Sequence, residues 1–129
     1  MSVKIFDSEL KVLEVLWKEG ERTAGQLAVI LKERVDWNRN TTYTVIGKLI
    51  DKGAIERFGE NFSCKAIITK KEVQQYETQE LINKLFDGST ENFLSAFLSD
   101  SSHSAQLKEE VERLKQLVKS VKERWQINS

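Results

Sequence analysis

Residues 40–52 hold the groups in this chain best suited to do chemistry on a partner. Successive side chains on a helix are about 100° apart, so Asn40, Thr44, Gly47, Lys48 and Asp51 fall on one stripe, with Thr41 and Tyr43 on its flanks. These types match the edges of base pairs. An asparagine amide pairs with adenine, and a lysine ammonium reaches guanine or a phosphate. A threonine hydroxyl both donates and accepts, while its methyl touches thymine. Tyr43 adds a hydroxyl on a flat apolar face. Gly47 costs about 1 kcal/mol relative to alanine inside a helix. Close approach of a nucleic acid would account for it, and so would a position that merely tolerates glycine. Arg39, Arg57, Lys65, Lys70 and Lys71 are cations of the kind that fix a protein's register on phosphates. Taken singly, each also fits a solvated surface.

These side chains need a scaffold, and the apolar spacing supplies one. A helix is expected over residues 8–19, with Asp7, Ser8 and Glu9 at its start, Gly20 as its stop, and Leu10, Leu13 and Trp17 on one face. Thr23 and Gln26 form a capping box that opens a second helix carrying Ala24, Leu27, Ala28 and Leu31. The third helix turns Val45, Ile46, Leu49, Ile50 and Thr42 inward, opposite the polar stripe. After Gly53 the period changes to two, and residues 54–58 and 62–68 read as the strands of a hairpin. Phe62, Cys64, Ala66 and Ile68 are expected on its inner face. Three helices followed by a hairpin is the order of a winged helix-turn-helix, with the third helix as the reader. Trp37, just before that helix, is expected to brace the loop against the core, with a backbone contact to nucleic acid as the alternative.

The rest of the chain reads as helical. Thr69 and Glu72 form a second capping box, opening a helix to about Phe86. Ser89 starts a short helix with Phe93, Leu94, Phe97 and Leu98, and a serine-rich loop containing His103 follows. Leu107, Val111, Leu114, Val118, Val121 and Trp125 then repeat at the alternating four and three spacing of a helical seam. Together with Leu81 and Leu85 these stripes exceed what three helices can cover among themselves, and a symmetric partner is the simple remedy. Folding back of the long helix onto the first half is the alternative. The fold class is therefore mainly α with a small β-hairpin: a winged helix-turn-helix over 1–70, then a three-helix dimerisation domain over 71–129. Leu85, Phe93, Phe97, Leu107, Val111, Leu114, Val118 and Val121 are the expected dimer interface.

Composition narrows the function. The 129 residues carry 20 basic and 20 acidic side chains, so whole-chain charge gives no argument for nucleic acid. The halves differ: 13 basic against 10 acidic through Lys71, then 7 against 10. No apolar run approaches the roughly 20 residues of a bilayer helix and no signal pattern opens the chain, so a cytoplasmic protein without membrane insertion is expected. A single cysteine, Cys64, makes no internal disulfide and holds no metal site alone, so no metal or cofactor is expected. Cys64 reads as a small core residue. The lone His103 and lone Cys64 lie far apart, and no glycine-rich loop or paired-acid motif appears, so the chain is not expected to be an enzyme.

The string 41–55, Thr-Thr-Tyr-Thr-Val-Ile-Gly-Lys-Leu-Ile-Asp-Lys-Gly-Ala-Ile, resembles the recognition helix of the penicillinase-repressor family of the BlaI, MecI and CopY type. Residues 9–17, ending in Trp17, are similar to that family's first helix, and residues 81–88 to its middle. The resemblance implies a bacterial repressor, a homodimer whose winged helices bind a palindromic double-stranded operator. In antibiotic-responsive members a membrane sensor that detects β-lactam leads to a cut in the dimerisation region and release from DNA. Aligned on Gly88, that cut falls at Ala96–Phe97, where the family has Asn before Phe and this chain has Ala96. Copper-responsive members end in a cysteine cluster, whereas this chain ends Gln126-Ile127-Asn128-Ser129. Tyr43 stands where well-known resistance repressors carry arginine. Two other readings remain at this point: a ligand-sensing winged-helix regulator with a pocket lined by Trp17, Tyr76 or Phe93, and a protein-interaction module that touches no DNA.

Overall fold

The computed structural model describes the backbone of residues 3–99 and 104–127 and, in the last helix, the side chains of residues 109–121, 123 and 124. The loop expected around His103 and the side chains of Leu107 and Trp125 lie outside the described residues. The elements run α1 (Asp7–Glu19), β1 (Arg22–Thr23), α2 (Ala24–Val35), α3 (Arg39–Asp51), β2 (Ile55–Phe58), β3 (Ser63–Ala66), α4 (Lys70–Phe86), α5 (Thr90–Leu98) and α6 (Ser104–Ile127). They divide into two compact units, one up to Leu81 and one from Ile82.

The first unit closes around one apolar core. Helix α1 contributes Val12, Leu13, Val15 and Leu16, α2 contributes Leu27 and Leu31, and α3 contributes Val45, Ile46 and Leu49. Ile55, Cys64, Ile68 and Val73 complete it from the sheet and the chain that follows. At about 25 cal/mol per Å² of apolar surface, each such side chain stabilises the fold by roughly 1.5–3 kcal/mol. Trp17 lies at the edge of this core and donates its indole N–H to the Ile68 carbonyl at 3.0 Å. Trp37 also packs against the core, as its position in the loop suggested.

Two expectations need correction here. The wing is a three-stranded antiparallel sheet of order β1-β3-β2, because Arg22 and Thr23 pair with Cys64 and Ser63. Phe62 leaves the expected inner face: it belongs to the turn and is exposed, whereas Cys64 and Ile68 are buried. The start of α1 also differs from a plain polar cap. Glu9 is only 1% exposed. Its Oε1 accepts the Phe6 backbone N–H at 2.8 Å and pairs with the Lys52 ammonium, which also donates to the Lys4 carbonyl. This clasp ties the C-terminal end of α3 to the start of α1. Both capping boxes form as read: Thr23 Oγ1 accepts from the Gln26 N–H at 3.1 Å, and Thr69 Oγ1 from the Glu72 N–H at 3.0 Å.

The second unit has a different character. Helix α5 is capped by Ser89, whose Oγ accepts the Asn92 N–H at 3.0 Å, yet none of its residues is buried. The Phe86 and Phe93 rings meet edge to face with centroids 5.7 Å apart. Along α6, Leu114, Leu117 and Val118 are exposed, while Val111 and Val121 are half-buried.

Candidate nucleic-acid interface

Helix α3 is presented by what lies behind it. Its rear stripe, Thr42, Val45, Ile46 and Leu49, is buried. The entering turn is sharp: Asp36 takes a left-handed conformation (φ +57°), which Asp tolerates better than most residues, and its N–H returns to the Leu31 and Lys32 carbonyls. Asn38 then caps α3, its Oδ1 accepting both the N–H and the hydroxyl of Thr41, at 2.8 and 3.0 Å. The Lys52–Glu9 pair anchors the far end. The front of the helix is thereby held as a rigid surface.

On that surface Asn40, Tyr43, Thr44 and Lys48 are exposed, and Thr41 and Gly47 are half-buried. Thr41 is the one whose hydroxyl proton is already engaged, in the cap. A Cβ built on Gly47 would meet no atom within 4 Å, so nothing inside the chain demands glycine there. Among the described residues, Arg39 and Lys48 have no ion-pair partner.

The helix ends add an electrostatic signature. Aligned peptide dipoles leave partial positive charge at a helix N-terminus, which nearby acidic side chains offset. Helix α1 has Asp7 and Glu9 in its first turn and α4 has Glu72, but α2 and α3 have no acid there, and α3 begins with Arg39. Helix α6 likewise has no acid in its first turn, so the feature is shared by α2, α3 and α6.

The strand register separates the expected phosphate contacts. Arg57 lies opposite Cys64, whereas Glu56 lies opposite Lys65. Directly opposed residues share a face of the sheet and neighbours alternate. Arg57 and Lys65 therefore project from opposite faces of the wing. Lys65 pairs with Glu56 at 3.6 Å and lies over the Phe58 ring, whereas the Arg57 guanidinium lies 4.9 Å from the Phe62 ring centroid. Burial pushes the Cys64 thiol above its ordinary range, and nearby Arg57 offsets this only in part. Lys70 opens α4 and is exposed. Sequence reasoning missed Phe58 and Phe62 as partners of these cations, because only the hairpin register brings them together.

The penicillinase repressor family model matches residues 5–120. The chain belongs to the penicillinase repressor family. It is 25% identical over 123 residues to the penicillinase repressor of Bacillus licheniformis, covering 94% of each chain. It is 22% identical over 117 residues to the methicillin resistance regulatory protein MecI of Staphylococcus aureus, covering 89% of this chain and 93% of that one. The solution structure of the DNA binding domain of the repressor BlaI superposes with a TM-score of 0.51 at 27% identity, covering 56% of this chain and 90% of that one. The described residues contain no helix long and apolar enough to cross a membrane.

Proposed function

We propose that this protein is a transcriptional repressor that binds a palindromic DNA operator as a homodimer, α3 reading bases in the major groove. The observation that carries this reading is the front of α3: Asn40, Tyr43, Thr44 and Lys48 exposed on a helix whose rear is locked into the core. Family membership agrees, since relatives bear the names of a penicillinase repressor and a methicillin resistance regulator. Thr41 and Gly47 border the reading face, and Arg39, Arg57, Lys65 and Lys70 meet phosphates around it. The uncompensated N-termini of α2 and α3 add attraction for a polyanion.

Dimerisation is assigned to the second unit. Leu85 is 62% exposed, Phe97 52% and Val118 54%, on helices that bury little else. Phe93, Leu107, Val111, Leu114 and Val121 belong to the same stripes. A single winged helix holds one half-site, so pairing two of them multiplies affinity without new contacts. Release follows from loss of that pairing. The Ala96–Phe97 bond lies in α5 with both residues exposed, and a cut there, downstream of a membrane sensor, would detach α6 from the rest. By analogy with the named relatives, the regulated genes are those of β-lactam resistance or its kin. Trp17 serves the core, which removes one expected wall of the ligand-sensing alternative.

The test is binding of labelled duplexes measured against salt. A DNA reader making six to ten phosphate contacts loses roughly 10³–10⁵ in affinity between 50 and 200 mM salt. A salt-insensitive or absent interaction would favour the protein-interaction module instead.

A further inference from the structure

One residue at the tip of the wing adopts a conformation its type resists. Phe62 has φ +53°, in the left-handed region where a bulky side chain is an outlier. Such strain persists only where the surroundings hold it. Here the Phe62 carbonyl accepts the backbone N–H of Ala24, the first residue of α2, at 3.0 Å, and the Cys64 thiol at 3.6 Å. The ring gains nothing from the core: Phe62 is 54% exposed. What the ring does contact is the Arg57 guanidinium, 4.9 Å from its centroid. Glu56, the acid next to Arg57 in sequence, pairs with Lys65 across the other face. Glu60 lies in the same turn as Phe62.

We propose that Phe62 is a positioning residue for DNA binding: its backbone is pinned to the start of α2, and its ring holds the Arg57 guanidinium ready for a phosphate beside the half-site read by α3. This rests on the DNA-binding reading above and deepens it. An arginine loses much rotamer freedom when it docks on a phosphate. A guanidinium already stacked on a ring has less freedom left to lose, and the stack leaves its N–H edges open to donate. The strained backbone is what joins the two jobs, since it directs the carbonyl to α2 and the ring to Arg57.

The experiment compares the full-length wild type with Phe62→Asn, Phe62→Tyr, Arg57→Ala and the Phe62→Asn/Arg57→Ala double variant on a duplex selected from random sequence. Asparagine accepts the left-handed backbone, so Phe62→Asn removes the ring without stressing the fold. Its thermal midpoint is expected to equal or exceed the wild type's. Its affinity falls roughly tenfold on all sequences alike, because Arg57 then loses its full rotamer freedom on docking. In Arg57→Ala, which removes the cation itself, the slope of log affinity against log salt falls by about one. Phe62→Tyr keeps wild-type affinity and slope, and the double variant binds no more weakly than Arg57→Ala. A Phe62→Asn variant with the wild-type affinity, or a double variant showing the full sum of the two single losses, would overturn the proposal while leaving the DNA reading intact. Absence of salt-dependent duplex binding by the wild type would overturn both.

Discussion

The two units of this chain contain similar apolar material and use it in opposite ways. In the first, Leu13, Leu27, Leu31 and Leu49 are fully buried against one another. In the second, Leu85, Phe97, Leu117 and Val118 are each more than half exposed. The difference is geometric. Helices α1, α2 and α3 and the sheet converge from several directions and enclose a volume, whereas, among the described residues, α5 buries none of its side chains and α6 leaves Leu114, Leu117 and Val118 exposed. An amphipathic stripe therefore indicates burial against something, and only the arrangement of elements says whether that something lies in the same chain. For a member of a repressor family, the closed unit suits a rigid reader, and the open one suits a partner that can be lost.

That contrast breaks most sharply under truncation of the closed core. Leu49→Ala is expected to destabilise the winged-helix unit by about 2–5 kcal/mol, seen as an earlier cooperative transition in denaturant. A change below 1 kcal/mol would mean that the core is not close-packed behind α3. In the open unit, Val118→Asp should leave the unfolding of the first unit unmoved while abolishing dimer, because its cost appears only when the charge is desolvated against a partner. Sedimentation at micromolar concentration distinguishes the outcomes, and a wild-type monomer would contradict the assignment. A smaller effect is expected on the front of α3. Thr44→Ala or Tyr43→Ala should cost about 1–3 kcal/mol of binding and relax preference at one base position, with no change in melting.

The smallest effect concerns the cap of α4. Hydrogen bonds from the Thr69 backbone N–H, and then from its hydroxyl, hold the Glu72 carboxyl below the usual glutamate range. A lowered folded-state value means that the charged form is favoured by folding. The contribution is present above the ordinary glutamate value and lost as pH falls through the lowered one. Glu72→Gln should therefore flatten the stability profile on the acidic side and leave it unchanged in shape near neutrality. Thermal melts across pH 2–7 check this, and identical profiles would contradict it.

Much of this was legible in the sequence, for identifiable reasons. The faces of α3 follow from helical period alone, so the split between Val45, Ile46 and Leu49 behind and Asn40, Thr44 and Lys48 in front could be read directly. The capping boxes Thr23–Gln26 and Thr69–Glu72 are local and need no tertiary knowledge. Strand β1 was not legible, because two residues carry no period. The Glu9–Lys52 clasp joins residues 43 positions apart, and nothing at either position marks the other. The opposite faces of Arg57 and Lys65 depend on the hairpin register. That register depends in turn on a turn in which Phe62, against its type, adopts positive φ.

The central claim is that two copies of this chain read a two-fold symmetric site through α3. Selection of bound duplexes from a random pool by the full-length protein tests it most directly. The predicted result is a palindrome whose half-sites are separated by one helical turn, about 10–10.5 base pairs, or a multiple of it. Thr44→Ala should shift preference at the same position in both halves. Enrichment of a single asymmetric site, or of no sequence at all, would contradict the account.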